Sequence, residues 1–175
     1  MKSNVALIGF MGAGKTTTGR ALAAKLQREF IDMDVLIAAK AGKTITQIFE
    51  QDGENAFRKL EKEIAWQVSL ESHKVIACGG GITLNQINID RLKQSSIIVY
   101  LTATLDVLMN RALNGGDERP LLKAPHKIQE MQRLLEARLP LYQGAADITI
   151  DASTSSETII EQITWQIKNY ACFIS

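Results

Sequence analysis

With 175 residues and a formal net charge of +1, the chain is long enough for one hydrophobic core and carries no global field that would recruit nucleic acid or an anionic membrane. Its two cysteines, Cys78 and Cys172, are too few for a disulfide framework and have no metal-ligand spacing, which argues against the disulfide-rich secreted and zinc-module classes. From Met1 the chain enters an apolar run with no long apolar leader and no spanning stretch further on, so a cytoplasmic protein, mature as written, is expected.

In chain order, the apolar run 5–8 is predicted as a first strand, followed by the cluster Gly9 to Gly14 and a helical pattern over 15–28. A second strand over 30–32 precedes Asp32-Met33-Asp34, and a helical pattern occupies 55–70. The third strand, 75–78, runs into Gly79-Gly80-Gly81 and a helix over 85–93; the fourth, 97–101, is followed by a helix over 105–112. Beyond the breakers from Gly115 to Pro120 come a helix over 126–138, a fifth strand over 148–150 and a helix over 156–170. This alternation predicts a three-layer α/β/α architecture around a five-stranded parallel sheet, its strands buried and its crossovers right-handed. Trp66 and Trp165, at helical spacing, are expected to fill core or groove.

Gly9-Phe10-Met11-Gly12-Ala13-Gly14-Lys15-Thr16 fits G-x-x-x-x-G-K-[ST] between a strand and a helix. Glycines at that spacing let backbone N–H groups of Gly12, Ala13, Gly14 and the residues after them converge on phosphate oxygens. The helix N-terminus adds partial positive charge, and Lys15 adds a full one. Thr16 is placed to ligate Mg²⁺, and Thr17 lies beside it in the first helical turn. The motif points to ATP; by itself it does not distinguish a phosphotransferase from a switch or a motor.

The acceptor must be sought elsewhere. In an open parallel sheet, ligands sit beyond the carboxyl ends of the strands, where the first and third strands deliver their glycine clusters. Read as extended, Asp32 and Asp34 project to one side and can divide the metal and general-base tasks of phosphoryl transfer. An isolated D-x-D serves equally as a turn or helix cap. Arg58 and Glu61, three apart on a helix, suit an ordinary surface ion pair, and Phe49 and Phe57 suit either a pocket wall or the core. The glycine triplet is either a tight turn or a place of close ligand approach.

Taken together, G-F-M-G-A-G-K-T, D-M-D, G-E-x-x-F-R-K-L-E, G-G-G, R-P-L-L and R-x-P-L-Y, in that order over nearly the whole chain, resemble the shikimate kinase family. The resemblance implies the P-loop nucleoside triphosphate hydrolase fold of the nucleoside-monophosphate-kinase type. It implies one kinase domain over 1–175, with a substrate-binding segment at about 33–61 and a lid at about 113–124. It further implies ATP-dependent phosphorylation of the 3-hydroxyl of shikimate, with Mg²⁺, in chorismate and aromatic amino acid biosynthesis, by a monomer. By the same resemblance Asp34 is the base and contacts the substrate hydroxyls, Arg58 and Arg138 hold its carboxylate, and Gly79, Gly80 and Gly81 contact its ring. Lys15 and Arg119 act on the phosphates, Asp32 reaches the metal through water, and Glu61 fixes Arg58. Arg111 either stacks on adenine or is a plain helix C-terminal cation. Two rivals keep part of this set: a kinase for another polyhydroxy acid such as gluconate, with the P-loop and carboxylate-binding arginines, and a nucleotide-dependent regulator that keeps the P-loop without turnover, against which the intact Asp34, Arg58, Arg119 and Arg138 argue.

Overall fold

The computed structural model describes residues 2–114 and 127–174. Five parallel strands, β1 (Asn4–Ile8), β2 (Glu29–Asp32), β3 (Lys74–Ala77), β4 (Ser96–Thr102) and β5 (Ile148–Asp151), form one sheet in the order β2-β3-β1-β4-β5. The central β1 is fully buried because it is covered on both faces, which is why Val5 to Ile8 is an unbroken apolar run. It pairs Leu7 with Ala77 on one side and Val99 on the other. The two edges differ from expectation: β2 is only partly buried and β5 alternates buried and exposed residues, since an edge strand has less cover.

Eight helices, α1 (Lys15–Leu26), α2 (Met33–Ala41), α3 (Ile45–Gln47), α4 (Gly53–Ser69), α5 (Gln86–Ser95), α6 (Leu105–Asn114), α7 (Lys127–Ala145) and α8 (Ser156–Ile174), are assigned among the described residues. A π-helical turn, Ile48–Asp52, joins α3 to α4, and a 3₁₀ turn, Ile82–Leu84, follows the glycine triplet. Thr44 opens α3 with a reciprocal capping box to Gln47, and Asn85 caps α5 by accepting from the Ile87 N–H.

Three expectations are corrected here. Asp32-Met33-Asp34 is not a continuous extended run: Asp32 ends β2 and caps α2, so Asp34 stands in the first turn of a helix. The helix expected over 126–138 continues to Ala145 through Pro140, whose ring faces the exposed side. Trp66 and Trp165 are 52% and 68% exposed, because the core faces of α4 and α8 are taken by Ile64, Ala65 and Val68 and by Ile159, Ile163 and Ile167. Among the described residues no helix is long and apolar enough to cross a membrane.

Candidate active site

The turn after β1 is built by glycines in the left-handed region, Gly12 at φ +79° and Gly14 at φ +84°. A Cβ on Gly12 would overlap the Leu108 carbonyl in the first half of α6, so that helix braces the turn from behind. Ala13, 1% exposed, donates its N–H to the Phe10 carbonyl and closes the turn. Lys15 begins α1 and lays its ammonium across the loop, donating to the Gly9 and Phe10 carbonyls at 2.9 and 3.0 Å. The loop therefore carries a full positive charge at the helix N-terminus, where anions are favoured. Thr16 and Thr17 follow on the exposed side of that turn.

Asp32 has two duties. Its Oδ2 accepts from the Thr16 hydroxyl at 2.8 Å, and its Oδ1 accepts from the Asp34 N–H at 3.0 Å, capping α2. The pair of oxygen donors, one hydroxyl and one carboxylate, suits a hard divalent cation that shares its coordination with phosphate and water.

Beyond β3, the Gly79–Gly81 backbone lies at the centre of the acceptor side. A Cβ on Gly79 would come within 3.0 Å of Asp34 Oδ1 and 3.3 Å of Glu61 Oε1, so both carboxylates face this glycine. A Cβ on Gly80 would lie 3.7 Å from the Met11 N, which sets the triplet directly against the phosphate loop. A Cβ on Gly81 would overlap the Arg58 guanidinium. The Cys78 N–H donates to the Leu7 carbonyl and fixes the register between the two loops; burial pushes its thiol pKa up and leaves it unreactive.

Arg58 is held from two sides on α4. Its Nη1 donates to Glu61 Oε2 at 2.9 Å, while Nε and Nη2 donate to Glu54 at 3.2 and 3.1 Å. The Glu61 side chain is only 1% exposed, so the surface ion pair suggested by sequence spacing is in fact a buried one. Burial pushes the Glu61 carboxyl above its ordinary range against the pull of Arg58. Burial would lower the Arg58 pKa, but Glu61 and Glu54 outweigh it and keep the guanidinium charged. Phe57 is buried and packs on Phe49 with centroids 4.6 Å apart, and the Arg58 guanidinium lies over the Phe57 ring at 5.1 Å. Phe57 thus belongs to the core and also supports the arginine, while Phe49 is partly buried and packs against that core.

From α7, Arg138 donates through Nη1 to the Gly80 carbonyl at 3.3 Å and rests near the Phe10 ring, 5.9 Å from its centroid. Arg58 and Arg138 therefore flank the triplet from opposite helices. Arg111 instead donates to the Ala152 carbonyl at 2.8 Å, tying the end of α6 to the turn after β5 beside the phosphate loop. Arg119 and residues 115–124 of the expected lid lie outside the described residues.

Two partners were missed in the sequence. Glu54, four residues before Arg58, was open to detection by helical spacing. Tyr142, four residues after Arg138 on the same face of α7, donates its hydroxyl to the same Gly80 carbonyl. The signals for it were that spacing and its place as the last residue of R-x-P-L-Y.

A strand–glycine loop–helix that ends in Lys-Thr, set in a parallel sheet and faced across a short gap by two arginines and a carboxylate, defines a P-loop small-molecule phosphotransferase. The family model described as shikimate kinase matches residues 11–168. A shikimate kinase of Thermosynechococcus vestitus is 43% identical over 162 residues, 92% of this chain and 87% of its own. A solved shikimate kinase from Acinetobacter baumannii, in complex with shikimate, superposes with a TM-score of 0.92 at 37% identity, covering 97% of this chain and 95% of its own. The chain belongs to the shikimate kinase family. A gluconokinase from Sinorhizobium meliloti shares the fold alone, at 15% identity and a TM-score of 0.61.

Proposed function

We propose that the protein transfers the γ-phosphoryl group of ATP to the 3-hydroxyl of shikimate, giving ADP and shikimate 3-phosphate on the route to chorismate. The observation that carries this reading is the gathering of Asp34, Glu61, Arg58 and Arg138 around Gly79–Gly81, with Gly80 against the phosphate loop. Two guanidinium forks suit a carboxylate in a way that a lysine point charge does not. A hydroxyl of the same small acid can then lie between Asp34 and the loop.

In this mechanism Gly12, Ala13, Gly14 and the start of α1 cradle the phosphates, and Lys15 exchanges its carbonyl acceptors for phosphate oxygens. The Asp34 carboxylate orients the attacking hydroxyl and receives its proton. Arg58 and Arg138 hold the acid so that the hydroxyl lies in line, a positional effect that supplies much of the rate in phosphoryl transfer. Mg²⁺ would be held by the Thr16 hydroxyl and, through water, by Asp32. Bound there, it would neutralise charge on the phosphates. Arg119 serves the same end from the lid, and Arg111 flanks the adenine. Residues 1–175 act as one domain and as a monomer in the cytoplasm, with acceptor contacts concentrated in 33–61 and closure supplied by 113–124.

The test is ADP release in a coupled assay with shikimate, with gluconate and with no acceptor. Release that depends on shikimate and Mg²⁺ is expected. Faster turnover of gluconate would overturn the substrate, and release independent of any acceptor would favour a nucleotide-driven regulator.

A further inference from the structure

The Gly80–Gly81 peptide stands between the two arginines of the acceptor side. Its carbonyl accepts from Arg138 Nη1 at 3.3 Å, and its far end, the Gly81 Cα, faces the Arg58 guanidinium, which fills the space a Cβ there would need. A trans peptide is planar, so fixing the direction of the carbonyl also fixes the opposed N–H and the position of the next Cα. Whatever holds this carbonyl therefore fixes the acceptor of Arg138 and the backbone surface that Arg58 faces, while Glu61 and Glu54 hold Arg58 from its other side. A glycine pair has little steric preference of its own to do so.

We propose that Tyr142 is a positioning residue for the acceptor: its hydroxyl clamps the Gly80 carbonyl and thereby sets Arg138 and Arg58 at the spacing of one carboxylic acid. This rests on the function proposed above. The Tyr142 side chain is 0% exposed and stacks on Tyr100 of β4, with centroids 5.2 Å apart and planes 18° apart. Tyr100 itself is buried in β4, which pairs with the central β1, so the phenol is anchored on the sheet. A hydroxyl buried this completely needs an acceptor, and the Gly80 carbonyl is the one it has. Arg138 and Tyr142 are four apart on α7, so one helical face delivers both donors to one oxygen. Burial pushes the phenol pKa up to about 12, which keeps the clamp a donor throughout the neutral range.

Tyr142→Phe in the full chain keeps the stacked ring and removes only the hydroxyl. Steady-state kinetics with each substrate varied should show KM for shikimate raised about tenfold, KM for ATP within about twofold and kcat within about threefold of the unaltered protein. Calorimetric titration with shikimate should show the same loss of affinity. An unchanged KM for shikimate would overturn the inference and leave the proposed function standing. So would a matched loss in both KM values together with a fall in thermal midpoint, which marks a packing role. No turnover of shikimate by the unaltered protein would instead fail the proposed function, and the inference would fall with it.

Discussion

Replacing Arg58 by Ala separates a structural role from the binding role proposed for the same side chain. The first is structural: Arg58 is the 2.9 Å partner of Glu61, whose side chain is 1% exposed. Stripping the partner from a fully buried pair costs about 3–5 kcal/mol. Arg58 is 23% exposed and shares its charge with the solvated Glu54, so screening reduces the expected loss to about 2–3 kcal/mol. For a chain of this size that is a fall of roughly 4–12 °C in thermal midpoint.

The loss should depend on pH with a definite sign. Burial already raises the Glu61 carboxyl above its ordinary 4.5, and removing Arg58 takes away the main opposing pull. The folded-state pKa then lies above the unfolded one, so stability is kept below about 4.5 and lost as pH rises through the raised value. Adding Glu61→Gln to Arg58→Ala removes the stranded charge and should recover most of the thermal midpoint near neutral pH. The second role is binding: shikimate affinity should fall by about 2–5 kcal/mol in Arg58→Ala and stay low in the double variant, with ATP affinity nearly unchanged. Scanning calorimetry across pH, with titration of each substrate, reads both. A pH-independent deficit, or shikimate affinity restored by the second substitution, would refute the reasoning.

Gly81→Ala should raise KM for shikimate about tenfold and lower the thermal midpoint by no more than Arg58→Ala does. Its Cβ displaces the Arg58 guanidinium that pairs with Glu61, while Gly81 has negative φ, so the backbone itself is not strained; a large midpoint loss with normal KM would contradict this. Asp147→Asn should lower stability by about 1–3 kcal/mol at neutral pH, because Asp147 accepts from the Ile98 N–H, Lys2 and the Tyr170 hydroxyl at 2.9, 2.8 and 2.9 Å. Burial would raise its pKa, yet these three donors hold it below 3.8; its contribution is present above that value and lost as pH falls through the folded pKa. Urea midpoints measured from pH 7 to pH 2 should converge for the two proteins, and a constant gap would count against this account.

The phosphate loop was legible in the sequence because all its chemistry lies within eight consecutive residues, and the strands because buried parallel strands are short apolar runs. Helix α2 escaped because its buried positions, Met33 and Ile37, are separated by apolar residues such as Val35, which is 60% exposed, so no amphipathic period stands out. The aspartates were therefore assigned to an extended run. The tryptophans misled for the opposite reason: in α8, Ile159, Ile163 and Ile167 define the buried stripe, and Trp165 falls about 200° around the helix from Ile163. Arg58 and Glu61 were visible as a pair, but the burial of that pair depends on the glycine loop of β3 folding over it from a distant part of the chain.

Asp32 serves Thr16 with one oxygen and the backbone of Asp34 with the other. The hydroxyl on the nucleotide side and the carboxylate on the acceptor side are thus yoked through one rigid planar group only a few atoms across. No other side chain intervenes between the Thr16 hydroxyl and the first turn of α2 along this path. In so small a kinase, the first turns of two helices are joined by a single carboxylate.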